Sequence, residues 1–398
     1  VLRAYNYYEL YTKFGDVPYT TKVLSIKESM SIARTAKATV IANVLADLDE
    51  VINGNYLPTS YDADNKGRIT RWAAMAIKAK IYLFEGNWTQ VKNITSTIMT
   101  EGGFKLFGSY AGLFEIANEY NSEVILDAQY RPTSREHQMM YVFLPPTLGG
   151  YSQLSPLQEL VDSYIMLDGK TIKETGTSFD ESHPYANRDP RLKATVMYTG
   201  NSYTLADGTE VVINCEKGEG KDGYGVGSDC SATGYYIKKY WDNTYRATLY
   251  SGLNPILIRY ADILLMNAEA LAELGELDKT AWDATIKPIR DRAGFTLASA
   301  LEFPEGASKD KLIEIVRNER RSELALEGHR HKDIIRWRIA DNVLNGWCHG
   351  LKTNDVVGTD DGYVRVENRT FNANKHYLWP IPQAERDLNG NLEQNPNW

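Results

Sequence analysis

Charged side chains recur at helical intervals in the apolar segment 254–277, NPILIRYADILLMNAEALAELGEL. Its apolar spacing predicts a buried helix, and Arg259 and Asp262, three positions apart, can pair on one face. Glu269, one position past the apolar stripe, raises the alternative of a catalytic carboxylate. Buried ion networks contain such groups without any chemistry. The pattern therefore favours a core helix whose charges pair with one another.

A second pair of acidic residues, Glu319 and Glu323, lies on the apolar stripe of a later helical segment. Two carboxylates facing one cleft can serve a glycosidase as acid and nucleophile. Arg317, Arg320 and Arg321 are close in sequence, however, and buried charges persist when they are paired. We therefore predict a structural ion network, whose members are Arg259, Asp262, Glu319, Arg320 and Glu323.

Other candidate metal and cofactor sites are incomplete. Asp62 and Asp64 begin like a calcium loop, but Lys66 and Ala73 occupy positions that need oxygen ligands. Histidines 329 and 331 are two positions apart, so they point to different faces of a helix. The chain has no H-E-x-x-H, no G-x-S-x-G and no glycine loop that would cradle a phosphate. We expect no metal site, no cofactor and no catalytic site.

Two of the three cysteines, Cys215 and Cys230, flank the glycine-rich loop EKGEGKDGYGVGSD. A disulfide closing a loop of about 15 residues would contribute roughly 3 kcal/mol in the chain-entropy model. The alternative is a pair of free thiols, and the sequence leaves both possibilities open. Because no C-x-x-C pair is present, a zinc or thioredoxin-like site is not expected.

Composition limits the class of partner. The 398 residues are 43% hydrophobic and 24% charged, with a net charge of −8 and a pI of about 5.5. This acidity argues against nucleic acid or an anionic membrane surface as the main partner, and no apolar run is long enough for a transmembrane helix. Tyrosine is abundant, with 26 Tyr against 10 Phe. Tyrosine suits wet, amphipathic surfaces better than dry cores.

Helical patterns dominate both ends of the chain. Candidate helices cover 1–13 and 27–52, followed by the pair ITRWAAMAIKAKIYLFEG and NWTQVKNITSTIMTEG. A similar pair begins at RYADILLMNAEALAELGEL and continues with TAWDATIKPIRDRAG, and a third long pattern covers 309–344. Each pair has a small residue seven positions before its closing glycine, Ala79 and Ala268 respectively. This resembles the tetratricopeptide helix–turn–helix arrangement.

The middle of the chain is irregular, with short β-like runs such as LKATVMY and the hairpin SYTLADGTEVVIN, whose Asp207-Gly208 is a turn dipeptide. The predicted fold is mostly α: a tetratricopeptide-like helix–turn–helix scaffold with long irregular loop insertions and a few short β-hairpins. We expect one domain over 1–398. Its scaffold covers 1–100 and 255–340, and its loop-rich insertions cover 101–254 and 341–398.

Seven segments in order resemble the SusD/RagB family. They are LRAYNYYELYTKFGDVPYTTK, WAAMAIKAKIYLFEGNW, ELVDSYIMLDGK, NRDPRLKATV, IRYADILLMNAEALAELGE, VRNERRSELALEGHRHKDIIRW and LWPIPQAERDLNGNLEQNPNW. The match lacks the family's N-terminal portion. The chain also begins without Met and already in helical periodicity, so we expect it to be the later part of a longer protein, without any export signal or lipid anchor.

The resemblance implies a surface nutrient-binding lipoprotein of Gram-negative Bacteroidota. Such proteins lie on the extracellular face of the outer membrane, cap a SusC-type TonB-dependent transporter and capture oligosaccharides or polysaccharides, or in some members peptides, for import. They are not known as enzymes, and the resemblance assigns the charged helices to the scaffold. Two other classes stay open: a glycoside hydrolase, and a tetratricopeptide adaptor that binds a peptide between helices.

A saccharide site needs exposed aromatic rings with polar groups beside them. The densest such patch is KKYWDNTYRATLYSG, and the predicted ligand-binding residues in it are Trp241, Asp242, Asn243, Tyr245 and Arg246. Tyr151, in the GGYSQ loop, is a second, weaker candidate. Alternatively, Trp241 packs against the scaffold as an ordinary core residue.

Overall fold

The computed structural model describes residues 1–245 and 248–398. The helices are, in chain order, α1 (Leu2–Phe14), α2 (Ile26–Ser29), α3 (Lys37–Asn53), α4 (Arg71–Phe84), α5 (Trp88–Glu101), α6 (Met139–Phe143), α7 (Gln158–Ser163), α8 (Pro190–Thr195), α9 (Tyr260–Leu274), α10 (Lys279–Ala284), α11 (Ile286–Ala293), α12 (Ala298–Leu301), α13 (Lys309–Glu323), α14 (Arg330–Arg336), α15 (Ala340–Val343) and α16 (Gln383–Leu388). The strands are β1 (Val124–Asp127), β2 (Val196–Met197), β3 (Ser202–Thr204), β4 (Glu210–Val212), β5 (Tyr236–Ile237), β6 (Ile256–Arg259), β7 (Gly346–Lys352), β8 (Thr359–Asp360) and β9 (Tyr363–Arg369).

The chain divides into two compact units. The first unit contains residues 1–102, 329–345 and 370–398, and the second contains 103–328 and 346–369. Helical residues outnumber strand residues in both units, and the strands, which lie in the second unit, form only small antiparallel sheets. The predicted mostly helical scaffold with short hairpins is therefore confirmed, whereas the single domain over 1–398 stays a prediction.

In the first unit, α4 supplies much of the core. Thr70 caps its N-terminus by accepting a hydrogen bond from the Ala73 backbone N–H at 3.3 Å. Ala79 is fully buried, and its small side chain allows close helix packing in this unit. After a turn at Gly86 with φ of +69°, α5 packs back against α4. This is the first of the two helix–turn–helix pairs predicted from the sequence.

The helix expected over 27–52 is interrupted, and that prediction is wrong. A capping box between Ser25 and Glu28 starts the short helix α2, and α3 begins only at Lys37. Between them, Thr35 pairs with Val17 through backbone hydrogen bonds of 2.9 and 3.2 Å. This pairing requires an extended backbone at Thr35, which a continuous helix cannot provide.

In the second unit, α9 is the central helix and packs against α10, α11 and α13. It is apolar around most of its circumference, and Ala268 is fully buried, as expected for a helix covered on several sides. Gly275, in the left-handed conformation with φ of +74°, ends it. The long pattern 309–344 divides into α13, α14 and α15, because Leu326 and Gly328 adopt positive φ of 65° and 80° after α13.

The short strands agree only partly with the sequence pattern. Strands β3 and β4 form the predicted hairpin around Asp207-Gly208, with Ser202 opposite Val212. The run LKATVMY, expected to be extended, is mostly helix α8, because Asp189 caps the N-terminus and Pro190 occupies the first helical turn. Only its end forms β2, which pairs with β5. A three-stranded sheet has the order β7–β9–β8.

Candidate functional site

The two carboxylates that could serve a hydrolase, Glu319 and Glu323, are buried at 2% and 0% exposure. Glu323 accepts hydrogen bonds from Arg259 at 2.6 Å and from Arg292. Glu319 is ion-paired with Arg290 at 2.7 Å. The remaining residues of the network predicted from the sequence are also buried, and Arg320 Nη1 donates to Asp262 Oδ1 at 2.6 Å.

Several members of this network were not predicted. Arg191 in α8 is completely buried and pairs with Asp189 at 2.7 Å, with Glu319 at 2.7 Å and with Glu323 at 2.9 Å. Arg259 also bonds to carboxylates distant in sequence, Glu123 and Glu327, each at 2.7 Å. Lys239 also belongs to the network and pairs with Glu327 at 2.7 Å. Arg292, which donates to Glu323, contacts Glu123 as well, at 3.1 Å.

The electrostatics of the network are those of a scaffold. Burial alone would raise the pKa of Glu323, but the guanidinium groups of Arg292, Arg259 and Arg191 outweigh burial and hold this pKa well below its usual range. The pKa of Glu319 is lowered in the same way. A general acid needs a raised pKa and access to substrate. These paired, buried carboxylates have neither property.

The other candidate sites also have structural roles. Asp62 caps a short 3₁₀ turn by accepting from the Asn65 N–H at 3.1 Å. His331 packs edge-on against Trp379 with ring centroids 6.0 Å apart. In the described part of the chain, no three His, Cys, Asp or Glu side chains are grouped as a metal ion would need.

Cys215 and Cys230 are free thiols in the structure. Cys215 is buried at 1% exposure, and burial raises the pKa of its thiol. The Cys230 thiol donates to the Lys221 carbonyl at 3.3 Å instead. The loop between them is held by such contacts and by the Asp222 carboxylate, which accepts from the Thr147 N–H at 2.7 Å.

The predicted ligand-binding segment around Trp241 is partly absorbed into the fold. The Trp241 indole N–H donates to the Thr204 carbonyl at 2.9 Å, and its ring lies 5.0 Å from that of Tyr203. Asp242 is 4% exposed. Its two carboxylate oxygens accept backbone N–H groups, those of Ile116 and Thr244, each at 2.9 Å. Asn243 is half-buried, whereas Arg246 and the side chain of Tyr245 lie outside the described residues.

Tyr151 belongs to a rigid aromatic pair that the sequence did not reveal. Its ring stacks on Tyr141 of α6 with centroids 4.2 Å apart and an interplanar angle of 27°. Its backbone N–H donates to the Tyr141 carbonyl at 2.9 Å. Gly150 makes this return of the chain possible, because a Cβ there would lie 2.0 Å from the Leu144 carbonyl oxygen. Tyr151 nevertheless remains 40% exposed.

Tyr250 extends this pair and is 43% exposed. Its hydroxyl accepts a hydrogen bond from Gln138, the residue at the start of α6, at 2.8 Å. Backbone hydrogen bonds of 2.9 Å in both directions between His137 and Ser251 fasten the two segments together. We call Tyr141, Tyr151 and Tyr250 the tyrosine surface.

The tyrosine surface has the properties that a saccharide platform needs. Each ring offers an apolar face for C–H groups and a hydroxyl for hydrogen bonding. The side chains are already held in place by stacking and by Gln138, so binding would order few groups. Hydrogen bonding to Tyr151 raises the pKa of Tyr141, so the Tyr141 hydroxyl is a neutral donor and acceptor at physiological pH. Neither Tyr141 nor Tyr250 was predicted, because their proximity depends on tertiary contacts.

Within residues 1–245 and 248–398, no helix combines the length and the apolar character needed to cross a membrane.

The chain matches two family models. The model of the SusD family covers residues 113–398. A second model, described as starch-binding associating with outer membrane, covers residues 1–83. Together they account for most of the chain.

Individual relatives agree with the family models. SusD-like protein P25 of Formosa agariphila is 28% identical over 367 residues, which are 86% of this chain and 63% of that protein. The chain therefore spans less than two thirds of that relative. The crystal structure of a SusD-like carbohydrate binding protein from Bacteroides fragilis is 30% identical with a TM-score of 0.87, covering 98% of this chain and 78% of that one.

A more distant structure, of a laminarin binding SusD-like protein, has 24% identity and a TM-score of 0.66, covering 100% of this chain and 77% of the other; at this identity it supports the fold alone. The family match over 113–398 and the structural match over nearly the whole chain lead to the same conclusion. The resemblance noted from the sequence is confirmed: the chain belongs to the SusD family.

Proposed function

We propose that this protein binds an oligosaccharide or polysaccharide at the cell surface without cleaving it, and delivers it for uptake through a SusC-type TonB-dependent transporter. The single observation that carries the proposal is the tyrosine surface in a chain of the SusD family. A group of exposed aromatic rings held in place by neighbouring contacts is typical of a ligand-binding surface. A crystal structure of a relative bears the description of a carbohydrate binding protein, which supports saccharide over other ligands.

The tyrosine surface can recognise sugars through two kinds of contact. Ring faces cover the apolar C–H groups of a pyranose, while the hydroxyls of Tyr141 and Tyr151 and the amide of Gln138 exchange hydrogen bonds with sugar hydroxyls. Each such bond contributes only about 0.5–1.5 kcal/mol, so affinity for one sugar unit is weak and a polymer gains by engaging several units. The half-buried Trp241 and Asn243 and the buried Asp242, together with Tyr245 and Arg246, stay part of the proposed site.

A binding role fits the arrangement of the carboxylates better than hydrolysis. Glu319 and Glu323, the pair expected in a hydrolase, are held by arginines inside the second unit. Retaining glycosidases need both carboxyl groups open to the scissile bond. The peptide-binding adaptor has less support, because it places the ligand between repeat helices rather than on loops.

Membership of the SusD family supports the proposed partner and location. We place the full-length protein on the extracellular face of the outer membrane, held by a lipid anchor and seated on its transporter. Import then needs reversible capture, which weak, repeated sugar contacts provide. Peptide cargo in the same role is the alternative, since tyrosine rings and Gln138 could also bind an extended peptide.

A ligand panel tests the proposal. The protein is titrated calorimetrically with laminarin, starch, xylan, alginate and a mixture of tryptic peptides, and each saccharide is analysed for released reducing ends. We expect binding of at least one saccharide with no new reducing ends. Binding of peptides alone would show that the protein captures peptides rather than saccharides. Release of reducing ends would show that it is a hydrolase.

A further inference from the structure

A large cleft lies in the second unit, formed by residues that the proposed site does not use. Its volume is about 1120 Å³, larger than the roughly 300–1,000 Å³ of ordinary small-molecule sites. Residues from the segments 179–186, 198–200, 214–219 and 351–355 line it, together with Gln158, Gly234, Tyr235 and Tyr363. The cleft therefore has room for an oligomeric ligand rather than for a single small molecule.

One wall of the cleft is aromatic and polar at the same time. Tyr185 and Tyr198 stack with centroids 4.0 Å apart and an interplanar angle of 17°. The Tyr185 hydroxyl lies 3.2 Å from that of Tyr235, which in turn donates to Gln158 at 2.5 Å. A wall of ring carbons interrupted by an ordered chain of hydroxyls and an amide suits a ligand that is apolar on its faces and polar at its edges.

Glycine keeps this wall open. Gly200, at φ of +87°, lies beside the tyrosine stack, and a Cβ there would meet no atom within 4 Å. The Gly200 N–H already donates to the Ile213 carbonyl at 3.1 Å, so glycine here leaves space in the cleft rather than a free hydrogen-bond donor.

The charges around the cleft are unbalanced. Its two lysines are already paired: Lys217 with Asp355, and Lys352 with Glu181 at 3.0 Å. The exposed Glu216 and Glu219 also line the cleft, and neither makes an ion pair within the part of the chain that the structure describes. Among the residues that line the cleft, four carboxylates therefore outnumber two lysines, and the excess negative charge lies at Glu216 and Glu219.

We propose that this cleft is a second saccharide-binding site, which holds neutral sugar units against the Tyr185–Tyr198 wall and disfavours sugars that carry carboxylate or sulfate groups. The inference rests on the proposed function, since it assumes that the protein binds saccharide at all. A ligand carboxylate about 4 Å from a glutamate would be repelled by an amount equal to roughly a fivefold loss of affinity even at the dielectric constant of water. A neutral sugar experiences no such repulsion.

The test compares one saccharide in two charge states. The probes are the neutral saccharide that binds best in the panel and the same saccharide with its primary hydroxyls oxidised to carboxylates. Asn354→Trp is designed to fill the cleft, because Asn354 is exposed, lines the cleft and is clear of the core. Glu216→Gln combined with Glu219→Gln removes the excess charge, and Glu101→Gln combined with Glu305→Gln, at exposed sites elsewhere, is the matched control.

Calorimetry gives the affinities, and hydrogen exchange of the amides in 214–219 and 351–355 locates the ligand. We expect the neutral probe to bind at least about fivefold more tightly than the oxidised probe and to protect the cleft amides. Glu216→Gln combined with Glu219→Gln should reduce the ratio of the two probe affinities, whereas the control pair of substitutions should leave it unchanged. Asn354→Trp should abolish the protection of the cleft amides. Tyr151→Ala leaves the cleft protection in place.

The outcomes separate the two proposals. If the panel yields no saccharide ligand for the wild-type protein, the proposed function fails and this inference fails with it. If a neutral saccharide binds but protects no amide of the cleft, only the second site is overturned. Protection of the cleft with equal or tighter binding of the oxidised probe would overturn the selection against charge.

Discussion

Replacing Glu323 with glutamine tests whether the buried carboxylates belong to the scaffold. The side chain is fully buried, and its two oxygens meet the guanidinium groups of Arg191, Arg259 and Arg292. Glutamine keeps the volume and one acceptor oxygen but removes the negative charge and puts N–H groups against cations. Three arginines then share fewer anions in a space that water does not reach.

The expected loss is large. Breaking a buried ion pair by changing one partner costs about 3–5 kcal/mol, and for a unit of about 250 residues a loss of about 4 kcal/mol lowers the melting temperature by roughly 8–16 °C. Because the folded pKa of Glu323 is depressed, its stabilisation is complete above the unfolded pKa of 4.5 and is lost as the pH falls towards the folded value. The difference from wild type should therefore be full at pH 7 and shrink below about pH 4.5.

Calorimetric or circular-dichroism melts at pH 7, 5 and 3 measure this effect. Glu302→Gln is the matched control, since Glu302 also meets two cations, Lys279 and Lys287, but on the surface. Solvent screens such pairs, and we expect no resolvable shift. A Glu323→Gln protein that melts like wild type but has lost a hydrolytic activity would refute the scaffold assignment.

Two further predictions concern individual side chains. His349 lies between two carboxylates, with Nδ1 2.8 Å from Glu159 and Nε2 3.0 Å from Asp360. Burial opposes protonation of His349, but these hydrogen bonds raise its pKa above the usual 6.5. The stabilisation from protonated His349 is therefore full below pH 6.5 and is lost as the pH rises through the pKa of the folded protein. Base catalysis accelerates the exchange of every amide as the pH rises, so the measured rates are divided by the intrinsic rates. The resulting protection of the β7 amides should fall above pH 6.5 in wild type but not in His349→Gln; equal protection profiles would contradict the bridge. Trp241→Ala should clearly lower the melting temperature and weaken saccharide binding only slightly, because the ring packs on Tyr203 and its indole N–H donates to the Thr204 carbonyl. A Trp241→Phe variant with wild-type stability and at least tenfold weaker binding would contradict this and show that the indole contributes more to ligand binding than to packing.

Local patterns in the sequence predicted the helices that carry the fold. The spacing in 254–277 indicated α9 and its charged members, because a helix places residues three and four apart on one face whatever surrounds it. The same logic could not find Arg191, which lies 132 residues from its partner Glu323. Its buried position depends on where α8 packs, and no local pattern encodes that.

The loops show the same limit. The helical pattern of residues 27–52 predicts one continuous helix. The pairing of Thr35 with Val17, which interrupts that helix, is not local and so leaves no mark on the pattern. The aromatic patch around Trp241 was found from composition, but composition does not tell a ring that faces solvent from one that packs on Tyr203. The stack of Tyr141 on Tyr151 depends on the turn through Gly149 and Gly150. The two glycines in the sequence indicate a turn, but they do not show that the segment after the turn packs on α6.

The central claim, that a saccharide binds on the tyrosine surface, is tested most directly by titrating wild type and Tyr151→Ala with the best saccharide of the panel. Tyr151 is 40% exposed, so the truncation is expected to leave the melting temperature within the error of the measurement. Losing the platform should weaken binding by about 1–3 kcal/mol, roughly 5- to 150-fold. A folded Tyr151→Ala protein that binds the saccharide as tightly as wild type would contradict the account.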